Sequence, residues 1–370
     1  MHPKSLDGLL VVALEQAVAA PYTSRLLAES GARVIKIERP EGDFARHYDS
    51  IVHGESAYFV WLNSGKESLV LDVKADDDAA LLKRILARAD VFIQNLRPGA
   101  VDRLGLGYED VNALNPQIVM CSISGYGLSG EYAQMKAYDA LIQAETGLCS
   151  VTGQPHQPSK VGASICDIST GLSAYAEILK ALYARAGNGG GRHVCVSLFE
   201  VMAEWMNVPL AYYKYGGRML TGTGMDHAQV APYGAFETKD GKIFIVVQNH
   251  REWVSLCKEV LDRPDLIDDD RFGANEIRTQ NKDLLRIEIE QHFKRYTRAE
   301  LASQLESAGV AFGSINELDD VWDHPALVTK AVRVSDEDAI FTRRVGDETA
   351  APAEVPKLGA HSEMIRQEFG

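Results

Sequence analysis

Apolar and polar positions run along the chain in blocks, and the period of the blocks changes. Residues 9–14, "LLVVAL", form a continuous apolar run, the pattern of a strand buried on both faces. "YTSRLLAES" follows with helical spacing, opening at Pro21 as a first helical position and stopping at Gly31. "RVIKIER" predicts a second strand. Strand, helix and strand within about 30 residues make a βαβ unit and imply a parallel sheet.

The alternation continues. "SLVLDV" predicts a strand, and "DDDAALLKRILARA" a helix with aspartates in its first turn, where the helix dipole favours them. "VFIQN", "QIVMCSIS" and "RHVCVSL" predict further strands, with a helix behind Asp167 between the last two. Six strands with intervening helices predict a doubly wound, Rossmann-like α/β domain over residues 1–210.

Past Tyr212 the texture changes. "YYKYGGRMLTGTGMDHAQ" is a glycine-rich loop, and "YGAFETKDGKIFIVVQN" reads as an antiparallel hairpin turning at "KDGK". "REWVSLCKEVL", "NKDLLRIEIEQHF" and "RAELASQLESAG" predict helices, giving a smaller α+β domain over residues 222–323. Residues 324–370 close with "PAEVPKLGAHSEMIRQEFG", a proline-punctuated extended run and a short helix.

Composition narrows the classes of function. A chain of 370 residues accommodates two domains with a sizeable core. Its 46% hydrophobic and 24% charged content is ordinary for a soluble globular protein. A net charge of −14 argues against nucleic acid or an anionic membrane as the main partner. It leaves room for an anionic small ligand at a local cluster such as Arg97 to Arg103. The start, "MHPKSLDGLLVVALEQ", is too short and too soon acidic for a signal peptide. No apolar run approaches the roughly 18–20 residues of a membrane span. Cys121, Cys149, Cys166, Cys195 and Cys257 are scattered and odd in number. They read as reduced core thiols of a cytoplasmic protein, with no disulfide or zinc framework.

Two stretches invite chemistry. "GYGLSG", Gly125 to Gly130, matches the dinucleotide fingerprint, but no helical stripe opens at its third glycine. The first strand-to-helix turn, "EQAVAAP", has no glycine to bring backbone onto a pyrophosphate, and Glu38 alone does not make a ribose site. A glycine turn is the better reading, with no nicotinamide cofactor.

The second stretch is "KVGASICDISTGLSAYAEILKAL" around Asp167. Apolar positions Ile168, Leu172, Tyr175, Ile178, Leu179 and Leu182 have helical spacing, and Asp167 is placed to cap that helix. The dipole would also keep its carboxylate ionised, and an ionised carboxylate can attack an activated carbonyl. Gly162, Ala163, Ser164, Ser169, Thr170 and Gly171 leave room for a thioester, and their N–H groups could hold an oxyanion. Cap and nucleophile both remain open on the residues alone.

Longer motifs decide more. "LDGLLVVALEQAVAAPYTSRLLAESGARVIKIERPEGD", "LNSGKESLVLDVK", "ADVFIQNLRPGAVDRLGLGYEDV", "GYGLSG", the Asp167 segment, "GRHVCVSLFE" and "LGAHS" occur in one order along the whole chain. In this the sequence resembles the class III, formyl-CoA transferase-like, CoA-transferases, a family that also contains α-methylacyl-CoA racemases. The resemblance implies a Rossmann-like large domain, a small domain, a C-terminal segment (324–370) returning to the large domain, and an interlocked homodimer. It puts the catalytic aspartate on Asp167. It puts coenzyme A contacts on Val18, Ala19, Arg39, Leu71, Lys74, Asn95, Leu96, Ala100, Arg103, Leu104, Lys136 and Tyr138. Arg97 joins Arg39, Arg103 and Lys136 as a cation suited to the phosphates of CoA.

A racemase needs two acid/base groups, which its family members supply with a histidine before an aspartate. Here Tyr138-Asp139 occupies that place, and no histidine lies between His53 and His156. Tyrosine is a poor base at neutral pH, so acyl exchange is the expected reaction, with racemisation and a non-catalytic CoA-binding protein as the alternatives. The resemblance implies an aspartyl anhydride, then an aspartyl-CoA thioester, with water excluded and no ATP needed. Gly222 to Gln229 matches the family's glycine loop, either a lid or a linker. "GMDHAQVAPYGAF" and "VVQNHREW" resemble the subgroup that acts on C4–C5 dicarboxylates such as itaconate, mesaconate, malate or succinate. Arg46, His227 and Gln248, with Arg218, His250 and Arg251, are candidates to meet the acid.

Overall fold

The computed structural model describes residues 4–347 and 351–370. Six strands make one parallel sheet: β1 (Leu10–Leu14), β2 (Arg33–Glu38), β3 (Glu67–Val70), β4 (Val91–Gln94), β5 (Val119–Ser124) and β6 (Arg192–Ser197). Their order in space is β3-β2-β1-β4-β5-β6, so the winding direction reverses between β1 and β4. Crevices at the carboxyl ends of strands on either side of such a reversal are where open α/β sheets bind ligands.

Helices α1 (Ala19–Glu29), α2 (Asp76–Leu86), α3 (Asp139–Glu145) and α4 (Ile165–Asn188) surround the sheet. The period-two alternation of the strands sorts two cores. Val11, Val34 and Ile93 pack with Leu27 of α1 and Ile178 of α4 on one face. Val12, Ile35, Phe92 and Met120 pack with Leu82 and Ile85 of α2 on the other. Both sets are buried, which is why the strands read as continuous apolar runs.

Helix α1 begins two residues before Pro21, which becomes its third residue. That position still lacks an intrahelical acceptor for its N–H, so proline costs nothing there. Helix α4 lies close against α1 because residue 171 is glycine: a Cβ there would approach the Ala19 carbonyl oxygen to 2.7 Å. Thr23 Oγ1 donates to the Gly171 carbonyl at 3.1 Å across the same contact.

The chain divides into two compact units, residues 1–149, 160–214 and 328–370 forming one and residues 150–159 and 215–327 the other. In the second unit β7 (Tyr233–Thr238), β8 (Gly241–Val246) and β9 (Ala311–Ser314) form an antiparallel sheet in the order β9-β8-β7. Phe236, Ile245, Trp253 and Phe293 lie in its core. The expected hairpin is present, turning at Lys239 and Asp240. Its glycine loop is tied within the unit: Gly222 N–H donates to the Ser150 carbonyl at 3.1 Å, and Gly224 N–H to Gly153 at 2.6 Å.

Back in the first unit, β10 (Thr329–Val334) and β11 (Glu337–Thr342) form a hairpin not expected from the sequence, and Ala353–Glu354 adds a short parallel strand. Val332, Val334 and Ala339 pack on Phe59 and Val60, so the period-two pattern was present beneath the charges of "VRVSDEDAIF". Helix α5 (Ser362–Phe369) follows. Its start covers the outer edge of β3: Ser68 N–H donates to Nδ1 of His361, just before the helix, at 3.1 Å, and Val70 N–H to Oγ of Ser362, its first residue, at 3.1 Å. Among the described residues no helix is long and apolar enough to cross a membrane.

Candidate active site

A cavity of about 590 Å³ opens at the carboxyl ends of β1, β4, β5 and β6, spanning the point where the winding reverses. Every residue that lines it belongs to the first unit. The loop after β1 supplies Gln16 to Ala19, the loop after β4 Asn95 to Pro98, and the segment before α3 supplies Ala133 to Tyr138. Gly162, Ala163, Ser164 and Asp167 come from the start of α4. Of the residues expected to meet CoA, Val18, Ala19, Asn95, Leu96, Arg97, Lys136 and Tyr138 line this cavity with Asp167. Asn95 also staples two walls together, accepting from the Gln16 N–H at 3.0 Å and donating to the Gln16 carbonyl at 2.8 Å.

Six of the expected contacts lie elsewhere. Leu71 is buried in the core of the sheet, and Leu104 packs against that core. Ala100 and Arg103 lie on the short helix after β4, while exposed Arg39 and Lys74 follow β2 and β3 at the same edge of the sheet. Arg46 spends its donors internally: Nε and Nη2 bond the Glu38 carboxylate at 2.8 and 2.7 Å, and Nη2 also bonds the Pro356 carbonyl. Arg46 therefore serves Glu38, and Glu38 serves Arg46 in place of a ribose. His227 and Gln248 belong to the second unit, where His227 stacks on Tyr233 with ring centroids 4.9 Å apart.

Asp167 is the third residue of α4, so Ser164 holds the cap position that the spacing assigns to Asp167. The Ser164 hydroxyl makes no capping bond and instead lies 3.2 Å from the Tyr58 hydroxyl. The capping oxygen comes from another helix. Asp139 Oδ1 accepts from the Cys166 N–H at 2.8 Å and from the Asp167 N–H at 3.3 Å. Those donors are thus committed to a carboxylate, which leaves them unavailable to an oxyanion. Of the small neighbours, Gly162 and Ala163 face the cavity. Ser169 and Thr170 are buried in the helix packing, and Gly171 makes the contact with α1.

The helix dipole does not decide the charge of Asp167. Burial, and after it the nearby Asp139 carboxylate, raise its pKa to about 7. In an unfolded chain the same carboxyl ionises near 4. Between those values the native state holds a proton that the unfolded state releases, so Asp167 costs stability as pH climbs toward 7. Asp167→Asn removes that cost. Its melting temperature is expected to exceed the wild type's by more at pH 8 than at pH 5, for a gain of about 1–3 kcal/mol once partial solvent access is allowed for. Equal differences at the two pH values would contradict the raised pKa.

Behind the first loop sits a buried charge network that the residue pattern does not announce. Glu15, Lys36 and Lys66 have fully buried side chains. Lys66 Nζ donates to Glu15 Oε1 at 2.8 Å, to Asn63 Oδ1 at 2.9 Å and to the Pro21 carbonyl at 3.0 Å. Lys36 Nζ donates to Asp43 Oδ2 at 2.9 Å, and Asp43 Oδ1 accepts from the Ala17 N–H at 3.2 Å. Ala17 is held at φ 65°, an uncommon conformation for a residue with a side chain. Burial alone would raise the Glu15 carboxyl, but Lys66 and Lys36 outweigh it and keep the group below the usual carboxylate range. Burial lowers Lys66 to about 8 against the pull of Glu15. The network fixes the loop that carries Val18 and Ala19 into the cavity.

Residues 6–362 match CoA-transferase family III. The chain belongs to that family. Succinyl-CoA:glutarate CoA-transferase of Mus musculus is 35% identical over 329 residues, covering 88% of this chain and 75% of the relative. Acetyl-CoA:oxalate CoA-transferase of Acetobacter aceti is 32% identical over 372 residues, covering 98% and 95%. The crystal structure of a CAIB/BAIF family protein from Brucella suis matches with a TM-score of 0.84 at 33% identity, over 100% of both chains. Membership of family III makes the chain a class III CoA-transferase, the enzyme class its motifs predict, with a CoA thioester as co-substrate. Among the described residues, no three or more His, Cys, Asp and Glu side chains gather as a metal site would require.

Proposed function

We propose that this family III enzyme moves CoA from an acyl-CoA donor, such as succinyl-CoA, to a small dicarboxylate, and that Asp167 carries the reaction covalently. The observation that supports this reading is Asp167 in the cavity wall beside Gly162, where a Cβ would meet nothing within 4 Å. A thioester can approach there without displacing a side chain. Arg97, Lys136 and Lys160 line the same cavity and suit the phosphates of CoA. Exposed Arg39, Lys74 and Arg103 follow the carboxyl ends of β2, β3 and β4 and add positive charge. The relatives above are named for glutarate and oxalate, both dicarboxylates, which supports an acid of that class. His227 and Gln248 are our candidates for contacts with the acid on their sequence motifs alone.

On this route the Asp167 carboxylate attacks the donor carbonyl, the C–S bond breaks, and CoA leaves as thiolate. The thiolate then attacks the aspartyl carbonyl of the anhydride, releasing the donor acid and leaving an aspartyl-CoA thioester. The acceptor carboxylate repeats these steps in reverse order and departs as its CoA thioester. Because Asp167 is protonated below about 7, attack strengthens as pH rises through that value. The working form is taken to be a cytoplasmic, interlocked homodimer. Trp205, Val208, Leu210 and Tyr213 support a subunit contact, since they leave a run of large apolar side chains exposed.

Trapping tests the route. Protein mixed with succinyl-CoA and quenched with hydroxylamine is expected to carry a hydroxamate at Asp167 by peptide mass. A panel of dicarboxylates then identifies the acceptor by its CoA thioester. An unmodified Asp167 across a range of acyl-CoAs would refute covalent transfer, and deuterium wash-in at the α-carbon without exchange would favour the racemase.

A further inference from the structure

We infer that Asp139 is a positioning residue for Asp167, anchoring the first turn of α4 with its carboxylate while holding a second negative charge against the nucleophile. The inference rests on the function proposed above and deepens it. Asp139 opens α3, and its two oxygens point different ways. Oδ1 accepts from the Cys166 and Asp167 N–H groups at 2.8 and 3.3 Å, and Oδ2 accepts from Gln143 Nε2 at 2.7 Å. Gln143 is fully buried, and its Oε1 accepts from the Val161 N–H at 2.8 Å. One chain of bonds therefore runs from the segment leading into α4, through Gln143, to Asp139 and on to the backbone of the nucleophile.

A serine or asparagine cap would satisfy the same N–H groups without charge. An aspartate does so with a charge, which opposes the ionisation of Asp167. The other titratable groups around the nucleophile do not replace it. Tyr48 and Cys166, which both feel Asp167, are each pushed up to about 12, first by burial, and so are neutral at working pH. Tyr138 is a phenol in the cavity wall, while Lys136, Lys160 and Arg97 are cations that would favour the ionised form. Asp139 is the anion set against them.

The chemical consequence lies in the mixed anhydride. When CoA thiolate attacks an anhydride, the less basic carboxylate is the better leaving group. A nucleophile more basic than the donor acid therefore directs the thiolate to the aspartyl carbonyl. The bond to the bridging oxygen breaks, and its electron pair leaves with the donor acid. The same bias opposes the last step, so the aspartyl-CoA thioester is the species that accumulates.

Asp139→Asn keeps the capping oxygen and removes the charge, and Asp139→Ser does the same with a smaller side chain should the first fail to fold. In either, the acid limb of the kcat/KM profile is expected to move down by about one pH unit or more, and the hydroxylamine-trapped thioester to fall several-fold at steady state. A 13C-carboxyl NMR titration, with the Asp167 signal identified by its loss in Asp167→Asn, reads the same shift without turnover. An unmoved signal, or activity lowered equally at every pH, overturns the role of Asp139. A moved signal in a protein that never labels at Asp167 upholds the electrostatics and overturns the proposed reaction instead.

Discussion

Asp167→Ala is expected to lower CoA transfer by about four orders of magnitude or more, as removal of a covalent nucleophile does elsewhere. Acyl-CoA binding is expected to persist, because the cations and loops that line the cavity are untouched. The loss should therefore appear in kcat, with the dissociation constant for acyl-CoA within a few-fold of wild type. Asp167→Glu separates position from chemistry. It retains a carboxylate, yet the extra methylene moves the attacking oxygen by more than an ångström in a site whose geometry must be met closely. Steady-state rates beside calorimetric binding make the comparison. An alanine variant that keeps more than about a hundredth of the wild-type rate is not compatible with covalent catalysis at Asp167.

Replacing Glu15 with alanine is expected to destabilise the protein by about 3–5 kcal/mol, the cost of leaving a buried charge without its partner. Glu15 faces two ammonium groups and a serine hydroxyl, with Ser24 Oγ 2.7 Å from Oε2. Without it, Lys36 keeps its hydrogen-bonded ion pair with Asp43, and Lys66 keeps hydrogen bonds to two neutral oxygens. A buried ammonium without its counter-ion has a lowered pKa, and the penalty is full while it stays protonated. The deficit is accordingly larger at neutral than at alkaline pH, narrowing as pH rises past the value of about 8 at which Lys66 already sheds its proton. Urea midpoints at pH 7 and pH 9.5 measure both effects, and a midpoint unchanged at pH 7 would rule out the network as a source of stability. The Asp43 bond to Ala17 also loosens with the network, so transfer activity is expected to fall before the protein unfolds.

The six strands are legible in the chain because a parallel sheet covered on both faces admits few polar positions. Lys36 shows where this legibility stops. In "RVIKIER" nothing marks the central lysine as buried, and only its complete burial in the fold shows that it needs Glu15 and Asp43. The hairpin at residues 329–342 is obscured in a different way, its buried Val332, Val334 and Ala339 being interleaved with solvated charges. At the site, Asp167 stands out through its long motif, but Asp139 does not. Its role depends on α3 meeting the start of α4, which brings together residues 27 and 28 positions apart. Its spacing to Gln143, one helical turn on, is the local signal that could have drawn attention to it.

The cover over β3 bears on how the protein is made. Synthesis runs from the N-terminus, and the sheet strands emerge in the order in which they are numbered. The outer edge of β3 receives its hydrogen bonds from Gly359 to Ser362, almost 300 residues later. Through that interval a growing polypeptide carries an open sheet edge that another strand could join. Trimming residues 359–370 would make this transient exposure permanent, turning a hazard of synthesis into a lasting tendency to aggregate.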